Sequence, residues 1–104
     1  MENKISESNI IKYKEFLKSE EKSKSTVEKY ERDIRSFLIF AKGKQIKKET
    51  VIEYKDYLKK RYAVRSVNSM LASLNGIFNF LSLYSLKVKS LKLQKQVFCP
   101  EEKE

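Results

Sequence analysis

The chain has very little of the residue types that disulfides, zinc sites and tight turns require. Its 104 residues include one cysteine, Cys99, and no histidine, so an intramolecular disulfide is impossible and a zinc site is effectively excluded. Two glycines and one proline are too few for the many turns of a strand-rich fold. The composition therefore favours helices, and it predicts no metal and no cofactor.

The first ten residues, MENKISESNI, are polar and lack the apolar run of a signal peptide. We therefore expect a reducing, cytoplasmic setting. The length allows one small domain with a single core. The formal net charge of +9 favours polyanionic partners, nucleic acid first and anionic membranes second. The alternative is that abundant lysine and glutamate simply solvate the surface.

Apolar residues recur at helical spacing in four segments of the chain. The spacing predicts helices over roughly residues 8 to 20, from Ser25 to a stop at Gly43, 49 to 62 and 66 to 84. Ser25 and Glu28 have the spacing of a capping box, and Ser66 is a plausible N-cap for the fourth helix. We expect a flexible stretch over residues 1–7, a helical domain over 8–86, and a basic linker over 87–104.

The fourth predicted helix lies in a stretch without charge between Arg65 and Lys87. Eight of its 21 residues are serine or asparagine, too polar for a membrane span. On a helical wheel the apolar and polar residues separate. The apolar arc holds Val67, Met70, Leu71, Leu74, Ile77, Phe78 and Leu81, and the polar side holds Asn68, Ser69, Ser73, Asn75, Gly76 and Asn79.

The neutral polar side of this helix has two interpretations. Asparagine and serine suit base edges and phosphate oxygens, and Gly76 would let another group approach the helix closely. Alternatively, the helix is buried nearly all round and its polar side chains bond within the bundle. The wheel alone leaves both open.

The second helix has basic residues off its apolar arc. Lys29, Arg32, Arg35 and Ser36 follow the lysines at 22 and 24 and the hydroxyls of Ser25 and Thr26 at the helix start. Free backbone N–H groups beside hydroxyls and lysines can bind phosphate. The alternative is a solvated face in which the acidic residues at 28, 31 and 33 pair with the bases.

Taken together, STVEKYERDIRSFLIF, then ETVIEYKDYL, then SVNSMLASLNGIFNFL resemble the core-binding, SAM-like domain of the tyrosine recombinase and phage integrase family, over roughly residues 5–86. The resemblance implies an all-α four-helix bundle that forms half of a C-shaped clamp on double-stranded DNA. A catalytic domain forms the other half, and the chain's C-terminal residues look like the connector toward it.

The resemblance also implies that the second and fourth helices face DNA. It suggests contacts to the phosphate backbone from Lys24, Ser25, Thr26, Lys29 and Arg32. It suggests positions near the major groove or adjacent phosphates for Arg65, Ser66, Asn68, Ser69, Ser73, Asn75 and Asn79. The sequence departs from the family at Asn75, where an arginine is often found, and this puts the affinity through the fourth helix in doubt.

The family's chemistry uses a tyrosine nucleophile with arginines, a lysine and a histidine, all in the catalytic domain. The present chain has no histidine and ends before such a domain, so the resemblance implies no strand cleavage by this polypeptide. It implies other recombinase subunits as partners in a full assembly and a monomeric isolated domain, without membrane association.

Two other classes of protein compete with this interpretation. A helical protein interaction domain would use its neutral face against a partner, with Phe40, Phe80 and Leu83 as contact residues off the core arcs. A helix-turn-helix repressor is less favoured, because the connection over residues 41–48 is long and an uncharged recognition helix is unusual.

Overall fold

The computed structural model describes residues 5–42 and 45–91, and these ranges contain helices but no strand. The four α-helices and a short 3₁₀ turn confirm the all-α, four-helix prediction. In chain order they are α1 (Glu7–Ser19), α2 (Lys24–Phe40), α3 (Lys48–Lys59), α4 (Val64–Phe80) and the 3₁₀ turn (Tyr84–Leu86). None of the helices within the described ranges is long and apolar enough to cross a membrane.

The core is built around α4, which packs against α2, α3 and the 3₁₀ turn. At its centre the Phe37 ring of α2 lies edge-on to Tyr54 and Phe78, at centroid distances of 5.2 and 6.1 Å. Burying one such aromatic side chain stabilises the fold by about 1.5–3 kcal/mol. The apolar arc predicted for α4 is confirmed: Val67, Leu71, Leu74, Ile77 and Phe78 are buried, and Met70 and Leu81 are half-buried.

The start of α2 differs from the predicted capping box at Ser25. Ser23 is the N-cap, because its backbone is extended and its Oγ accepts the backbone N–H of Thr26 at 3.1 Å. Ser25 instead lies in the first turn of the helix, where its side chain is exposed. The same error occurs at α4, which begins at Val64 after an extended Ala63, so that Ser66 is not its N-cap.

The fourth helix ends earlier than predicted, at Phe80 instead of Tyr84. Ser82 adopts a left-handed conformation with φ of 62°, and the next N–H, of Leu83, donates to the Phe78 carbonyl at 2.7 Å. This reversal turns the chain back onto the bundle and buries Leu86. Within the expected linker, Val88 is also buried against the core. The predicted stop at Gly43 lies outside the described residues.

Candidate nucleic-acid interface

A shallow groove runs between α2 and the first half of α4. The middle of α2 lies beside the start of α4, because Arg32 and Ser36 line the same groove as Ser66 and Met70. Four residues predicted to contact DNA line this groove together: Lys29, Arg32, Ser66 and Ser69. Its remaining lining residues are Asp33, Ser36, Tyr62 and Met70.

Lys29 forms a polar link between α2 and α4. Its Nζ lies 2.5 Å from Asp33 Oδ2 and 3.4 Å from both the Ser69 carbonyl and Ser73 Oγ. Ser73 Oγ in turn donates to Asp33 Oδ2 at 2.8 Å. Asp33 is only 6% exposed and Ser73 is fully buried. The Lys29 charge therefore compensates a buried carboxylate, and Ser73 has no access to an outside ligand.

Arg32 and Arg65 are the accessible cations of this region. Both side chains are exposed, and neither has an ion-pair partner among residues 5–42 and 45–91. Arg65 lies one helical turn before Ser69, on the same side of α4. A guanidinium without a carboxylate partner can donate two parallel hydrogen bonds to a phosphate.

Lys24 lies apart from this groove. It is five positions before Lys29, which places the two side chains about 140° apart around α2. Lys24 instead lines a second depression, between α1 and the start of α2. Lysines 14, 18, 22 and 24 lie around it with Val27 and Glu28. Sequence reasoning missed the lysines at 14 and 18, although their four-residue spacing already placed them on one face of α1.

Two hydroxyls were predicted to contact phosphate at the start of α2. Ser25 is exposed, whereas Thr26 is half-buried. The Oγ1 of Thr26 accepts the Ser23 hydroxyl at 3.0 Å, within the N-terminal turn of the helix. Ser25 is therefore the more accessible of the two.

The row of three asparagines on α4 divides in the structure. Asn75 pairs with the backbone of Val88, donating to its carbonyl at 2.8 Å and accepting its N–H at 3.0 Å. Asn68 pairs with Leu91 in the same way, at 3.0 and 2.6 Å. The side chain of Asn79 is exposed, and its side-chain amide makes no hydrogen bond to a described residue. Thus two of the three side-chain amides bond within the chain. The helical wheel alone did not distinguish this arrangement from contact with DNA.

Some basic residues already pair with carboxylates of this chain, because α1 and α2 share an ion-pair cluster. Arg35 donates from Nη2 to Glu7 at 2.9 Å and from Nε to Glu31 at 2.9 Å. Lys14 lies 2.9 Å from Glu31. Hydrogen bonds from Lys14 and then Arg35 lower the pKa of Glu31, and those with Glu7 and Glu31 raise the pKa of Arg35. Arg35 therefore adds little to the positive surface.

These observations define a class: a small all-α domain with a groove between α2 and α4 and with two exposed arginines, Arg32 and Arg65, that have no ion-pair partner within residues 5–42 and 45–91. Comparison with models of protein families matches residues 10–83 to the phage integrase N-terminal SAM-like domain. Because the match covers well over half of the chain, the protein belongs to that family and the suspected resemblance is confirmed. Comparisons with curated proteins and with solved structures give no match.

Proposed function

We propose that the chain is the DNA-binding domain of a tyrosine recombinase, holding core-site duplex as one half of a clamp. The observation that carries this proposal is a pair of exposed arginines that lack ion-pair partners among the described residues. Arg32 lines the α2–α4 groove, and Arg65 directly precedes Ser66, which also lines it. Membership of the integrase family supports a recombinase-related role.

The proposed contact surface is smaller than the one predicted from the sequence. It consists of the predicted residues whose polar groups remain accessible. Arg32, Ser66 and Ser69 line the groove, and Lys24 lines the neighbouring lysine depression. Arg65, Ser25 and Asn79 are exposed outside both depressions. Lys29 is assigned a structural role, because its ammonium group is paired with Asp33. We leave out Ser73, Asn68 and Asn75, because their polar groups are bonded within the chain. Thr26 is left out because its hydroxyl belongs to the α2 cap.

Binding through this surface would depend mainly on the DNA backbone. Two guanidinium groups, three serine hydroxyls and the Lys24 ammonium group can bind phosphate oxygens without reading the base sequence. The net charge of +9 would draw a duplex toward the domain at low salt. One half of a clamp encloses only part of the duplex. We therefore expect the isolated domain to bind DNA weakly.

We also propose that strand cleavage belongs to a separate catalytic domain. Burial raises the pKa of Tyr13 and of Tyr54 to about 12, which disfavours the phenolate that a nucleophilic tyrosine needs. Nicked plasmid covalently joined to this polypeptide would contradict the proposal.

The test is duplex binding by the Arg32→Ala, Arg65→Ala double variant over a range of salt concentrations. Each phosphate contact contributes about −0.9 to the slope of log affinity against log salt, so losing two should make the slope shallower by about 1.8. Fluorescence anisotropy with a labelled duplex measures both affinity and slope.

The matched control is the Lys12→Ala, Lys42→Ala double variant, which removes the same charge from exposed residues that line neither depression. It should retain nearly the wild-type slope. If the two double variants change the affinity and the salt slope equally, binding depends only on total charge. That result would contradict the proposed surface.

A second candidate is a protein interface between recombinase subunits. Three exposed side chains, Ile39, Tyr57 and Tyr62, line one depression beside α3. The residues expected for this role from the sequence do not fit it: Phe40, Phe80 and Leu83 are half-buried and pack on the core. If this function holds, Ile39→Glu should weaken cooperative binding of two domains to adjacent sites and leave binding to a single site unchanged.

A further inference from the structure

Residues 87–91 lie between α3 and α4, and side chains of both helices bind their backbone. From α3, Lys48 Nζ donates to the Lys87 carbonyl at 2.5 Å, and Lys55 Nζ donates to the Lys89 carbonyl at 2.7 Å. From α4, Asn75 and Asn68 each bond both the N–H and the carbonyl of one residue, Val88 and Leu91.

The spacing of these side chains fits an extended chain. Asn68 and Asn75 are seven residues apart, which is about 10 Å along a helix. Val88 and Leu91 are three residues apart and cover about 10 Å only when the chain is extended. Because Val88 pairs with Asn75 and Leu91 with Asn68, the segment runs antiparallel to α4. The lysines of α3 are also seven residues apart, but they bind carbonyls only two residues apart, so their long side chains converge on the segment.

The contacts recognise the main chain and only a few apolar side chains. Leu86 is 2% exposed and Val88 is 7% exposed, and Leu91 packs partly against the core. The side chains of Lys87, Lys89 and Ser90 point outward and are exposed. Amides that donate to and accept from one residue imitate the pairing of a neighbouring β-strand.

We propose that the groove between α3 and α4 is a docking site for an extended peptide, and that its ligand is residues 87–91 of this chain. Asn68 and Asn75 are its main polar elements, with Lys48 and Lys55 on the opposite side. Docking fixes the direction in which the chain leaves the helices, so these residues act as positioning residues for the connector. The inference does not depend on DNA binding.

Hydrogen exchange of the whole chain tests the docking site. In the Asn68→Ala, Asn75→Ala double variant, the backbone N–H groups of Val88 and Leu91 should exchange about tenfold faster or more, since both lose their acceptors. Those of Leu74 and Phe78, inside α4, should keep their protection. Unchanged exchange at Val88 and Leu91 would overturn the proposal, as would equal acceleration at all four residues.

Two control variants separate docking from other effects. Asn79→Ala removes an exposed asparagine of the same helix and should leave exchange at Val88 and Leu91 unchanged. Lys89→Ala should also leave it unchanged, because the site binds the Lys89 carbonyl and not its side chain. Acceleration by Lys89→Ala equal to that in the double asparagine variant would contradict recognition through the backbone.

Duplex binding distinguishes this inference from the proposed function. The double asparagine variant should bind DNA within about twofold of wild type, because neither amide lies on the proposed contact surface. A loss comparable to that of the arginine variant would return Asn68 and Asn75 to the DNA interface and contradict their assignment to docking. Loss of DNA binding in the arginine variant leaves the docking result unaffected.

Discussion

Gly76 lies in the interior of α4, where the Tyr13 ring of α1 crosses it. A Cβ at this position would collide with the Tyr13 hydroxyl, and it would lie 3.5 Å from the ring carbon Cζ, an ordinary contact. The same ring lies among Tyr30, Phe16 and Phe80, at centroid distances of 5.2–6.4 Å. The close approach expected at Gly76 from the sequence is therefore made by a residue of this chain.

We predict that Gly76→Ala destabilises the fold by about 1 kcal/mol despite the better helix propensity of alanine. The Tyr13 hydroxyl would have to move within packed aromatic rings. In a Tyr13→Phe background the same substitution should become neutral or stabilising by up to about 1 kcal/mol. Urea unfolding of the four variants in this cycle measures the coupling, and additive effects would contradict the contact.

At the scale of elements, a polar link joins α2 and α4. The Asp33 carboxylate is buried against Ser73 and is balanced by Lys29 at its exposed edge. Burying a carboxylate is costly unless it is paired and hydrogen-bonded, so both partners are needed. Lys29 therefore holds two helices together beside the residues proposed to bind DNA.

We predict that Lys29→Met lowers the free energy of unfolding by about 1–3 kcal/mol, because it leaves the Asp33 carboxylate buried without its cation. Arg32→Met, one turn away and exposed, should change it by less than about 0.5 kcal/mol. Thermal or urea unfolding compares the two. If both variants change the free energy of unfolding by similarly small amounts, Lys29 does not stabilise Asp33. Lys29 would then be a solvent-exposed cation that is free to contact DNA.

At the scale of the whole molecule, helical periodicity was sufficient to predict four helices, and the family resemblance supplied their arrangement in a bundle. The seven residues assigned to the core arc, six in α4 and Leu81 directly after it, are buried or half-buried, because residues at a 3.6-residue period lie on the same side of a helix. Helix ends were less predictable. At α2 two serines two residues apart could both serve as N-cap, and only the backbone conformation selects Ser23.

The candidate site was predictable only in part, because partners distant in sequence decide which polar groups remain free. Nothing near Asn75 indicates that Val88 returns to meet it, since that contact requires the reversal at Ser82. Likewise, the link from Lys29 to Ser73 crosses 44 positions of the chain. Spacing identified the polar residues of α2 and α4, and tertiary packing sorted them into structural and accessible groups.

Stability of the whole domain should fall at alkaline pH through its buried tyrosines. Tyr13 and Tyr54 are 3% and 2% exposed, and burial raises their pKa from 10.0 to about 12. Between these values the unfolded chain releases the phenol protons and the folded protein keeps them. Their contribution is therefore complete below pH 10 and is lost as pH rises toward 12, by up to about 1.4 kcal/mol per pH unit for each tyrosine.

Urea unfolding at several pH values, from neutral to above 10, checks this expectation. Lysines lose their charge over the same range in every variant, so the informative quantity is the difference from wild type. Tyr13→Phe should lose less stability than wild type above pH 10, because phenylalanine has no proton to release in the unfolded chain. Tyr84→Phe, at a residue that is 61% exposed, should follow the wild-type curve. If both variants change the dependence of unfolding free energy on pH equally, burial of Tyr13 is not the cause of the loss of stability at alkaline pH.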